Sequence, residues 1–301
     1  MSSDLKQTIS QLTEDEIAML DDEVDAARSA WKLPDDEATL AWLDEHQPKR
    51  WILWQKAAKS GHAGAQWLVG LCFGEGIGVK KDERKAVDWF RKAAEQGDAI
   101  AQFNLGLMYD EGCGVKQDDA EALIWYRKAA EQGDAMAQCN IGLMHGDGRG
   151  VRRDHDEAVA WFRKAAEQGD AVAQFNLGMS YDDGEGVQRN FQEAMVWYRK
   201  AADQGLSDAQ FNIAMMYREG RGVEQNDHEA VIWFHKAAEQ EDASAQYNLG
   251  IMYAEGHGVA RNIHEAESWV RRAAEQGDED AEIYLDQLQK GRGVAQGILE
   301  A

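Results

Sequence analysis

The 301-residue chain has 55 acidic against 32 basic side chains, a formal net charge of −23, two prolines and three cysteines. That charge excludes nucleic acid, whose binding needs cations to release counterions from phosphate, and disfavours an anionic membrane surface. It leaves a basic partner, or solubility alone, as its meaning. Cys72, Cys113 and Cys139 occupy three different positions of the repeat described below, so no repeated disulfide staple is present. No apolar run approaches the roughly 18 residues of a membrane span. The start, MSSDLKQTISQLTEDE, lacks a basic segment followed by an apolar one, so no signal peptide is expected and the cytoplasm is the default address.

In chain order, residues 1–50 read as an acidic helical cap. Thr13 and Glu16 have capping-box spacing, and Ile17, Leu20, Val24 and Ala27 follow on one helical face. A second helix is expected from about Asp35 to His46, between Pro34 and Pro48. Trp31, Leu40, Trp42 and Leu43 would then pack on Trp51 and Trp54.

From Trp51 onward one phrase recurs every 36 residues. Trp89, Trp125, Trp161, Trp197, Trp233 and Trp269 mark six copies, over 63–98, 99–134, 135–170, 171–206, 207–242 and 243–278. A fixed period means one supersecondary unit stacked repeatedly. In the second copy, helix A reads AIAQFNLGLMYDE over 99–111, after the Gly97 stop and Asp98 cap, and ends in the turn Gly112-Cys113-Gly114-Val115. Helix B opens at Asp118 with Glu121 at capping-box spacing. Asp154/Glu157, Asn190/Glu193, Asn226/Glu229 and Asn262/Glu265 repeat that pair, whereas the first copy has Asp82 with Lys85. Gly106 stands mid-helix, as do Gly70, Gly142, Gly178 and Gly250, with Ala214 in the fifth copy. Glycine there costs about 1 kcal/mol relative to alanine, so a ring or backbone must pass close by. The Trp ladder reads as core. Residues 51–62 supply a preceding helix B. Residues 279–290 supply a more polar last helix A, and GRGV at 291–294 repeats the turn.

The pattern A-x-A-Q-F-N-L-G-x-M-Y-x-x-G-x-G-V, followed by D/N-x-x-E-A-x-x-W-F/Y-R-K-A-A-E-Q-G, resembles the Sel-1-like repeats, relatives of the tetratricopeptide repeats. The likeness covers roughly 51–294. It implies an all-α fold, a right-handed α-solenoid of antiparallel helix pairs, and a role in holding protein complexes together. The organisation read from this is a cap over 1–50, a solenoid over 51–290 with six full repeats at 63–278, and a tail over 291–301.

The resemblance also places helix A on the concave wall. Stepping along it, one row is Trp67, Phe103, Cys139, Phe175, Phe211 and Tyr247. The next is Leu71, Leu107, Leu143, Met179, Met215 and Ile251, and the last is Glu75, Glu111, Asp147, Asp183, Glu219 and Glu255. Aromatic and methionine rows beside carboxylates would suit a basic or amphipathic segment. Alternatively, the first two rows pack between repeats and only the acids are wet. Asn104, Asn140, Asn176, Asn212 and Asn248 form another ladder, able to hold a ligand backbone or, preferably, to tie helix A to its neighbours.

On helix B, a basic stripe (Arg91/Lys92, Arg127/Lys128 and their equivalents) is expected to pair with acids such as Glu95, four residues after Arg91. Eight scattered histidines show no metal-ligand spacing, and each G-x-G-V joins two helices rather than following a strand, so no metal, cofactor or enzymatic chemistry is expected. The reading is a non-catalytic interaction scaffold. The alternative is an immunity-type inhibitor that occludes a cognate toxin or enzyme.

Overall fold

The computed structural model describes residues 12–31 and 36–299, and among these all regular structure is helical. The chain divides into two compact units between Asp154 and His155. The first holds α1 (Glu14–Trp31), α2 (Asp36–Lys59), α3 (Ala63–Glu75), α4 (Glu83–Glu95), α5 (Ala99–Glu111), α6 (Asp119–Glu131) and α7 (Ala135–Asp147). The second holds α8 (His155–Glu167), α9 (Ala171–Asp183), α10 (Phe191–Asp203), α11 (Ser207–Glu219), α12 (Asp227–Glu239), α13 (Ala243–Glu255), α14 (Ile263–Glu275) and α15 (Glu279–Leu299). Within each unit every A helix (α3, α5, α7, α9, α11, α13) packs on the B helices adjacent to it in sequence.

The mid-helix glycine is explained by a ring at Gly70, Gly106 and Gly178, and by the Val270 side chain at Gly250. A Cβ on Gly106 would lie 2.7 Å from Cδ1 of Tyr126, and one on Gly178 would lie 2.6 Å from Cδ1 of Tyr198. Both tyrosines are buried. The residue after each tryptophan, not the tryptophan itself, therefore fills the gap between paired helices. Trp125 and Trp269 are buried as expected, but Trp89, Trp161, Trp197 and Trp233 are only half-buried, which corrects the expectation for those four. A cation three residues on covers each indole, a lysine in five copies and Arg272 over Trp269: Lys128 Nζ lies 3.6 Å from the Trp125 ring centre and Lys200 Nζ 3.7 Å from that of Trp197. Such cation–π contacts let a large apolar face sit at the surface.

Successive repeats are stitched at the turn. Gly112 ends α5 in the left-handed region at φ 73°, and its N–H donates to the Met108 carbonyl. Two residues on, a Cβ at Gly114 would lie 2.4 Å from the carbonyl oxygen of Glu83, so the second glycine lets this turn rest on the start of the preceding B helix. The helix-B capping box is only half present. Asp118 accepts from the Ala120 and Glu121 N–H groups at 3.1 Å, but its own N–H donates to the Tyr109 carbonyl of α5 at 2.9 Å. The reciprocal arm expected of Glu121 is thus taken by helix A. At α1 the box closes fully: Thr13 N–H to Glu16 Oε2 is 2.9 Å, and Glu16 N–H to Thr13 Oγ1 is 3.1 Å.

Two expected breaks are absent. Helix α2 runs through Pro48, because Leu43, Gln47 and Trp54 bury one continuous face on either side of it while the proline ring stays exposed. That packing offsets a cost of about 3 kcal/mol for an interior proline. The backbone also stays helical through 291–294, where a G-x-G-V turn was expected. In other copies the turn is closed by a bond from the next B helix, as Asp118 makes to Tyr109; among the described residues α15 instead runs unbroken to Leu299.

In the cap, Leu20, Val24, Ala27 and Leu43 are buried and Trp54 donates to Glu23 at 2.9 Å, while Trp42 stacks on Trp54. The side chain of Trp31 lies outside the described residues, as do residues 32–35.

A candidate partner-binding face on the A helices

The predicted face differs between the two units. In the first unit its opening positions are closed. Trp67 is fully buried, and its indole N–H donates to Asn104 Oδ1 at 2.8 Å. The Arg28 guanidinium from α1 lies 5.9 Å from the Trp67 ring centre and pairs with Asp98. Helix α1 packs on α3, with Val24 filling the notch at Gly64. Phe103 is 7 % exposed and its ring lies 5.8 Å from that of Tyr126. Trp67, Phe103 and Asn104 are therefore packing residues, a correction to their placement on an open groove. A helical sequence pattern cannot reveal that the N-terminal helix folds back over the first A helix. Leu107 is half-buried and Glu111 exposed.

The second unit keeps the rows open. Phe175, Phe211 and Tyr247 are half-buried, each with one side against the core. Phe175 lies 5.8 Å from Tyr198, Phe211 5.6 Å from Phe234, and Tyr247 6.0 Å edge-on to Tyr284. Met179 is 37 % exposed, Met215 and Ile251 are half-buried, and Asp183, Glu219 and Glu255 are all exposed. Asn176 and Asn212 are half-buried, and the Asn176 amide donates to the Val172 carbonyl at 2.8 Å. Asn212 bonds the hydroxyl of Tyr198, and Asn248 accepts from Arg218 at 2.6 Å. The ladder thus mainly ties helices together. Arg218 stands where earlier copies have Gly74, Asp110, Gly146 and Asp182.

The acids are not equivalent. Glu219 pairs with Arg221 at 2.8 Å and Glu255 with His257 at 3.2 Å. Asp183, exposed as a whole, has its carboxyl raised above the ordinary range by partial desolvation, then by the neighbouring charges of Asp182 and Glu185. Arg189, which donates to the Asp183 carbonyl at 2.9 Å, and Arg221 offset this only in part, and clustered like charges favour the arrival of a further cation.

Sequence reasoning missed two devices. Gln102 donates to the Ala94 carbonyl at 3.1 Å and accepts from Gln132 at 2.8 Å, and the same pairing recurs at Gln174/Gln204 and Gln246/Gln276. Its signal is plain, since glutamine holds both positions in every copy. The second has twice the repeat period. Tyr126, Asp110 and Arg149 form one cluster, and Tyr198, Asp182 and Arg221 another, with Arg221 2.7 Å from Asp182 Oδ2. The basic stripe also has other partners than expected: Arg91 donates to the Tyr109 hydroxyl at 3.0 Å and Arg163 to that of Tyr181 at 3.1 Å, while the lysines cover indoles.

Residues 63–98, 99–134, 135–170, 171–206, 207–242 and 243–278 each match the Sel1 repeat. The chain is 41 % identical to a protective antigen of uropathogenic Escherichia coli strains displaying an SLR fold, with a TM-score of 0.77 over 81 % of this chain and 52 % of that one. It therefore spans about half the length of that protein. A Sel1 repeat protein from Oxalobacter formigenes is 34 % identical, with a TM-score of 0.69 over 77 % of this chain and 99 % of the other. No curated protein sequence matches. Among the described residues no helix is long and apolar enough to cross a membrane.

Proposed function

Because the chain belongs to the Sel1 repeat family, an all-α solenoid fold whose repeats mediate protein–protein interactions, we propose that it is a non-catalytic scaffold receiving a basic or amphipathic protein segment on the A-helix face of its second unit. The carrying observation is the half-open aromatic and methionine row, Phe175, Met179, Phe211, Met215 and Tyr247, alongside the exposed carboxylates of Asp183, Glu219 and Glu255. Apolar anchors would seat the ligand's apolar side, and the acids would meet its cations.

A synthetic helix with a leucine face flanked by lysines tests this by titration against the intact protein, with a glutamate-flanked version as control. Binding should favour the lysine peptide, weaken with salt, and fall about tenfold in Met179→Ser/Met215→Ser/Asp183→Asn. Equal binding of both peptides, or an unaffected variant, would remove the groove from the proposal. An inhibitor role would add a requirement that the captured partner lose its own activity.

A further inference from the structure

Away from that face, an open cleft of about 710 Å³ lies in the first unit where the first repeat's turn meets the second's. Lys80, Lys81, Arg84, Lys85 and Lys116 line it, against two carboxylates, Asp82 and Glu83. In a chain of net charge −23 this is a local inversion of sign. Lys81 pairs with Glu83 at 3.3 Å and Lys85 with Asp82 at 3.0 Å. Among the described residues Lys80, Arg84 and Lys116 form no ion pair.

The repeat is its own control. Where the first copy has Lys85, the others have Glu121, Glu157, Glu193, Glu229 and Glu265. Where it has Arg84, they have Ala120, Asp156, Gln192, His228 and His264. These positions lie in the first turn of helix B, where the positive end of the helix dipole favours acids and disfavours cations. Lys85 is offset by its pair with the Asp82 cap and by the Phe73 ring 5.1 Å away, whereas the fold offers Arg84 no such contact and local stability opposes it.

We propose that this cleft binds a compact, polyvalent phosphoryl anion. Three unpaired cations around one opening call for high charge density in a small volume, with the Arg84 fork taking two oxygens and the lysines acting as mobile point charges. A long polyanion is disfavoured, because the exposed acids Asp88 and Asp118, within four residues of the lining residues in sequence, would repel its continuation. The phosphoryl group can come from a free oligophosphate or from a phosphorylated side chain on a protein.

Calorimetric titration of the full chain at low ionic strength with inorganic tripolyphosphate, and separately with a doubly phosphorylated peptide and its unphosphorylated form, tests the site. One-to-one binding that weakens with salt is expected, reduced about tenfold or more in Arg84→Ala/Lys85→Glu and also weakened in Lys116→Ala. Arg152→Glu, outside the cleft, should leave it unchanged. Arg84→Ala/Lys85→Glu should also melt no lower than the native chain, since an acid returns to the helix start. Tripolyphosphate alone binding identifies a free anion, and the phosphopeptide alone identifies a protein-borne one. Absence of saturable binding to either, or equal loss in Arg152→Glu, overturns the site.

Discussion

Adding one methyl group at Gly106 should loosen the second repeat. The new carbon would lie 2.7 Å from Cδ1 and 2.8 Å from Cε1 of Tyr126, about 1 Å inside ordinary contact. The ring cannot easily swing aside. It is fully buried, and its hydroxyl is held by Asp110 at 3.3 Å and by Asn140. Overpacking costs about 1–3 kcal/mol and alanine returns about 1 kcal/mol of helix propensity, so Gly106→Ala should lose up to about 2 kcal/mol net. The fifth repeat shows how the clash is avoided. It has Ala214 opposite Phe234, which lacks the hydroxyl tether, and the Phe211 and Phe234 rings stand at 60° where Phe103 and Tyr126 stand at 38°. In a Tyr126→Phe background the alanine should therefore cost about 1 kcal/mol less. Urea unfolding of the four proteins, followed by circular dichroism and compared by midpoint, completes the cycle. A Gly106→Ala protein as stable as the parent, or an equal cost in both backgrounds, would refute the tethered-ring account.

Other consequences follow from single positions. Glu241 holds a φ of 67° where the other copies have glycine, so Glu241→Gly should relieve about 1 kcal/mol of left-handed strain. The exposed pair it would lose with Arg272 is worth less than about 1 kcal/mol, so a small rise in melting temperature is expected. Arg149→Met leaves the largely buried Asp110 carboxylate without its guanidinium and should cost about 1–3 kcal/mol, read as faster hydrogen exchange in α5 and α6. Burial pushes the Cys72 thiol up to about 12, and Cys139 is also buried, whereas Cys113 is only half-buried. A disulfide reagent at neutral pH should therefore label Cys113 first, and all three thiols only after denaturation.

The helix boundaries and the close-packed glycine were legible in the sequence because each repeat restates the same local rules. Asp98 caps helix A, Gly112 stops it, and Gly106 admits a ring, so six imperfect copies average out local ambiguity. The Gln102–Gln132 bond and the Tyr126–Asp110–Arg149 cluster were also written there, as invariance and as alternation at twice the period, but their pairing is between helices and has no local spacing. What only the tertiary structure decided is which apolar positions meet water. Trp67 and Phe175 share one position of the repeat, yet the first is sealed by Arg28 and Asn104 and the second is half-open. Likewise Pro48, a helix breaker by local rules, is carried through because Leu43 and Trp54 are buried on both sides of it. Burial depends on what the rest of the chain folds against, and a pattern that repeats identically holds no record of the neighbour that differs at its end.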